Sequence, residues 1–172
     1  MIKETATMSR KWTIKRYLNH QDFIDGNLPK TIIDGAGNAL PGESVFNGNC
    51  LLNEGIAELL LLLTGGTATA YSNSSAYLGV GENTTAASAT QTGLSGSSKT
   101  YKGMEATYPV ISGQKVTWRA VFTGDDANNA WQEFTVVNAS TDTGDNLNRK
   151  VDDQGTKAAG QTWTLDLEIT FS

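Results

Sequence analysis

The sequence predicts an all-β fold, a β-sandwich of jelly-roll type with one buried, leucine-rich helix at about residues 51–64, and three observations carry that prediction. Residues 163–172 read Trp-Thr-Leu-Asp-Leu-Glu-Ile-Thr-Phe-Ser, with a large apolar side chain at every second position, the period of a strand with one face in a core. Shorter strand-like runs recur upstream between turn signals, at the spacing of sandwiches and barrels. Only 18% of the 172 residues are charged and 18 are glycine, a composition suited to short strands joined by many turns.

Residues 1–50 are expected to form an extended N-terminal arm and hairpin segment, because large apolar residues are too sparse there for a core of their own. Within it, Trp12 to Leu18 reads as a strand, and Asp34-Gly35-Ala36-Gly37-Asn38 after Thr31-Ile32-Ile33 reads as the tip of a short hairpin. Residues 51–172 are expected to form the sandwich domain. Leu51 to Leu63 is its helix, with good helix formers throughout, acids in the first half and Gly65-Gly66 as the stop. Five successive leucines, Leu59 to Leu63, leave no polar side to the last turn, which must therefore be covered by the sandwich or by another subunit. Ala76 to Gly81 reads as a short buried strand, and the Thr-, Ala- and Ser-rich stretch 83–98 as a long surface loop. Strands are then expected at Met104 to Ile111, Gln114 to Thr123, Trp131 to Asn138, Leu147 to Val151 and Thr162 to Phe171.

The net charge of -5 argues against a protein that binds nucleic acid by neutralising phosphates. A lone cysteine, Cys50, allows no internal disulfide. The N-terminal residues lack the apolar core of a secretory signal, and Ile56 to Leu63 is far shorter than the ~20 residues that span a bilayer. A soluble protein made in the cytoplasm is expected.

Side chains that do chemistry are scarce. His20 is the only histidine and reads as a surface residue. One Cys and one His do not make a zinc site, and the oxygen-rich run 124–129 lacks the spacing and distal Glu of a calcium loop. Glu133, between Trp131 and Phe134, is the most interesting carboxylate, since a sugar would stack on such a ring. The competing reading makes Glu133 a cross-strand partner of a Lys or Arg, and Asp166 and Glu168 the solvent face of the last strand. No catalytic residue, metal or cofactor is expected.

The block Leu51 to Glu82, followed by Ala130-Trp131-Gln132-Glu133-Phe134, Leu147-Asn148-Arg149-Lys150-Val151, Gly155-Thr156-Lys157 and the final Trp-Thr-Leu strand, resembles structural proteins of tailed bacteriophages. The resemblance spans about residues 50–172 and consists of framework positions. It implies a non-enzymatic virion component, a capsid decoration or cement protein on the capsid exterior, trimeric and bound to the major capsid protein. The alternative is a tail or fibre-base protein that recognises host carbohydrate. Trp12, Tyr17 and Phe23 are the expected partner contacts of the arm, so that deleting residues 1–24 would abolish capsid binding and leave the sandwich folded. Under the carbohydrate reading the contacts are Trp131 and Glu133.

Overall fold

The computed structural model describes residues 7–172. In chain order the elements are β1 (Met8–Tyr17), α1 (His20–Asp25), β2 (Thr31–Ile33), β3 (Ala39–Pro41), β4 (Glu43–Asn47), β5 (Cys50–Leu51), α2 (Asn53–Thr64), β6 (Tyr77–Gly81), β7 (Lys99–Gly103), β8 (Val110–Ser112), β9 (Lys115–Phe122), β10 (Glu133–Val137), β11 (Asn148–Val151) and β12 (Thr162–Phe171). The protein is mostly β. One five-stranded sheet runs β4-β1-β12-β9-β8, a second β5-β11-β10-β6-β7, and β2 and β3 form a separate hairpin. Every pairing is antiparallel.

The inner faces of the two large sheets share one core. The alternation of β12 puts Trp163, Leu165, Leu167 and Ile169 into it, opposite Trp12 and Ile14 of β1 on one side and Trp118, Ala120 and Phe122 of β9 on the other. The second sheet contributes Leu78, Val80, Phe134 and Val136. Rings meet directly across the core: the centroids of Trp12 and Phe134 are 5.8 Å apart, and those of Trp131, just before β10, and Trp163 are 4.9 Å apart. Each such buried side chain is worth roughly 1.5 to 3 kcal/mol. On the outer face of β12, Arg119 grips Asp166 through two hydrogen bonds, and Lys11 and Lys115 both pair with Glu168. The solvent-face carboxylates are therefore covered by cations from neighbouring strands.

The expected N-terminal arm is corrected here. β1 lies between β4 and β12, pairs with β12 over its full length, and buries Trp12 and Ile14 completely. Its core-facing positions are Trp12, Ile14 and Arg16, and an arginine in third place hides the apolar alternation. Arg16 is accommodated because its guanidinium donates to Pro41 O, Ser44 Oγ and the carbonyl and side chain of Gln154, and lies over the Trp163 ring. The hairpin tip is as expected: Asp34 accepts from the backbone N–H of Ala36 and Asn38 between β2 and β3, and from Thr156 N–H beyond. The strand expected at 104–111 is instead two short ones, β7 before it and β8 at its end. The segment that begins at His20 is a short helix, α1, capped by the Asn19 side chain on Asp22 N–H.

Helix α2 begins at Asn53, two residues after its expected start because Leu51 belongs to β5, and stops at its expected glycine, with Gly65 in the left-handed conformation at its C-terminus. Its orientation is the second correction, since the helix is not buried. The residues it buries are Gly55 and Glu58, while Ile56, Leu59, Leu60, Leu61 and Leu63 are exposed. Gly55 lets the helix backbone lie against the backbone of Asn146 and Leu147, where a methyl group would overlap Leu147. Glu58 accepts from Thr69 N–H and from the Asn138 side chain, and Glu54 accepts from Asn146 N–H. Polar groups dock the helix and apolar ones face outward, the reverse of an ordinary surface helix.

Candidate functional site

The outward side of α2 belongs to a continuous apolar face. Ile56, Leu59, Leu60 and Leu63 adjoin Met8 of β1 and Phe171 of β12, which are paired with each other at one end of the sheet, and Phe171 in turn adjoins Ile111 of β8. Leu63 is 81% exposed, Ile111 78% and Leu60 56%. Beside the helix the face opens into a cavity of about 280 Å³ walled by Leu59, Leu62, Tyr71, Trp118, Ile169 and Phe171. The polar atoms in this wall are already engaged, because Tyr71 OH donates to Asp145 O and Trp118 Nε1 donates to Tyr71 O. Burial, with Asp145 nearby, pushes the Tyr71 phenol well above its ordinary range, so the cavity offers shape and apolar surface without charge.

The residues singled out in the sequence lie elsewhere. Trp12 is wholly buried and stacks on Phe46 at 6.2 Å, and Tyr17 is buried against Phe23 in an edge-on contact at 5.5 Å. Of that expected contact set, only Phe23 retains partial exposure. His20 is exposed and lies against Phe23.

Trp131 and Glu133 cannot serve as a carbohydrate platform, for both are wholly buried. Trp131 is enclosed by Phe122, Phe134 and Trp163, and its indole donates to Ala127 O. Glu133 pairs with the equally buried Arg149 at 2.7 Å and accepts from the backbone N–H of Ser95 and Gly96. Arg149 also donates to Thr85 O, Gln91 Oε1 and Asn83 Oδ1. The pair thus pins the 83–98 loop onto the second sheet from both ends. The cross-strand reading of Glu133 is the one the geometry bears out, and Arg149 is the residue that sequence reasoning missed.

The run 124–129 is turn chemistry: Asp126 accepts from Thr123 N–H, from its hydroxyl and from Lys102. Among the described residues no three His, Cys, Asp or Glu side chains cluster as a metal site, and no helix is long and apolar enough to cross a membrane.

Lys157 is a buried cation that forms no ion pair among the described residues. Its ammonium donates to Thr123 O and Asn128 Oδ1, and burial lowers its pKa to about 8 against the pull of Asp126 and Asp125. Below pH 8 the lysine is charged in both states and the fold bears the full cost of burying it. Between pH 8 and 10.5 only the unfolded chain holds the proton, so stability rises with pH in that window, by on the order of 2–3 kcal/mol. The raised phenols of Tyr71 and Tyr101 oppose the trend above pH 10, where tyrosines of the unfolded chain ionise. Urea denaturation at pH 7.5 and 9.5 measures the effect, and Lys157→Met is expected to flatten it. A wild-type stability that falls over this interval contradicts the assignment.

Comparison of the chain with protein-family models, with curated proteins and with solved structures gives no match.

Proposed function

We propose that this chain is a non-enzymatic structural protein of a tailed-phage virion, a decoration or cement protein that binds the major capsid protein on the outer shell and stabilises it as a homotrimer. The observation that carries this reading is the apolar face of α2, Ile111 and Phe171. A helix that spends its two acids on its own domain and turns its leucines outward is built for contact with protein. The framework resemblance over residues 50–172 supports the phage context. Cementing needs contact area repeated over a lattice more than chemistry, and the buried Glu133–Arg149 pair is taken up in holding the 83–98 loop.

The fold is read at finer grain as a β-sandwich of jelly-roll type. Nested pairing of the two chain halves, β1 with β12, β5 with β11 and β6 with β10, supports it. The rival reading, a tail or fibre-base protein recognising host carbohydrate, loses both its contact residues, since Trp131 and Glu133 are enclosed.

Capsids lacking the protein, mixed with the purified chain and pelleted, are expected to carry it down at a fixed ratio to the major capsid protein and to withstand heating better. Cryo-electron microscopy of the same particles would then place its density over the shell lattice. Failure to pellet with capsids, or density confined to the tail, would overturn the cement reading.

A further inference from the structure

We propose that the face of α2 is covered by a second copy of this chain. The inference rests on reading that face as an interface and names its occupant. Three features argue for self-association. The first is area: Ile56, Leu59, Leu60, Leu63, Ile111 and Phe171 are 36% to 81% exposed, an apolar patch on the scale of the ~300–600 Å² of the largest on a typical monomer and of the ~800 Å² that each partner gives to a standard interface. The second is charge. The chain carries a net -5, but Glu54 and Glu58 of α2 are turned inward onto backbone and side-chain donors, so two copies meet here without bringing the helix carboxylates together. A partner recognised by charge would find nothing to pair with on these six side chains.

The third is shape. Protruding Leu60 and Leu63 stand on the same face as the cavity of about 280 Å³, which has room for about two leucine-sized groups, given that a cavity of ~150 Å³ accepts one benzene ring. A surface that bears both knob and hole suits contact between identical subunits, whether reciprocally about a two-fold axis or head to tail in a closed ring. The leucines of one copy enter the cavity of the other, and the uncharged wall accepts them without stranding a polar group.

Light scattering of the full-length chain at ~100 µM, above the micromolar limit typical of standard-size interfaces, is expected to give a dimeric or trimeric multiple of 18.4 kDa. Leu63→Glu, and separately Leu60→Glu, each placing a carboxylate in the contact, are expected to weaken association more than ~100-fold and return the monomer mass. Both positions are exposed in the single chain, so unchanged far-ultraviolet circular dichroism and melting of the dissociated variant are expected, which separates lost assembly from lost fold. A monomeric wild type, or assemblies that survive both substitutions, overturns the proposal. Capsid pelleting distinguishes the two levels: a wild type that is already monomeric and loses capsid binding on Leu63→Glu assigns the face to the shell protein and refutes the second copy, whereas unchanged mass and unchanged binding in both variants refute the interface as well.

Discussion

Arg149→Met is expected to destabilise the protein by about 3–5 kcal/mol, because it leaves the Glu133 carboxylate buried without its counter-charge. Both side chains are wholly enclosed, so water cannot take over the lost contacts. In a domain of this size the loss lowers the melting temperature by on the order of 10 °C. The effect is also local. Arg149 holds the backbone of Thr85 and the side chains of Gln91 and Asn83, while Glu133 takes the N–H groups of Ser95 and Gly96. Amide hydrogen exchange within 85–96 is therefore expected to quicken beyond what the global loss accounts for. The double variant Glu133→Gln with Arg149→Met removes the orphaned charge and is expected to recover part of the stability, a coupling that a double-mutant cycle measures. A single variant that costs less than ~1 kcal/mol, the range of exposed pairs, would show that the pair is not the loop's anchor.

That anchor illustrates what one sequence can and cannot reveal. Glu133 was visible as an unusual acid beside two aromatics, but its partner lies sixteen positions away on the next strand, and nothing local marks Arg149 as buried. Local periodicity was enough for β12, whose bounds match the alternation of Thr162 to Phe171, and for α2, which ends at its expected glycine. It was not enough to orient α2: a run of five leucines has no polar side from which to read a direction, and the inward positions belong to Gly55 and Glu58, residues that pattern rules place in solvent. β7 was invisible for another reason, since Lys99-Thr-Tyr-Lys-Gly103 sits half-buried at a sheet edge and has no apolar alternation. The candidate interface combines β8, α2 and the end of β12, segments far apart in the chain, so only its leucines were legible. The Gly-rich hairpin tip at Asp34 was readable because its hydrogen bonds are made almost entirely within five residues.

Removal of residues 1–24 is expected to unfold the chain, which makes that truncation uninformative about partners. Of these residues, β1 supplies a ten-residue pairing with β12 and a five-residue pairing with β4. It also supplies Trp12, which stacks on Phe46 and meets Phe134 at a tilt, and Ile14. Loss of a single buried tryptophan side chain costs about 3–5 kcal/mol, against a total stability of about 5–15 kcal/mol for an ordinary domain. Stripping the whole strand exceeds that margin and leaves β12 and β4 with open edges and uncovered rings, an invitation to aggregate. Trp12→Ala is the graded version: its denaturation midpoint is expected to fall by the amount corresponding to 3–5 kcal/mol at unchanged cooperativity, readable in urea by circular dichroism. A truncated chain that retained a cooperative melt would restore the arm reading and free Tyr17 and Phe23 for contact with a neighbour. If the truncation unfolds, any loss of capsid binding it shows reports only a missing fold, and the weight of the functional test passes to Leu63→Glu, which alters the exposed face of α2 while leaving both sheets intact.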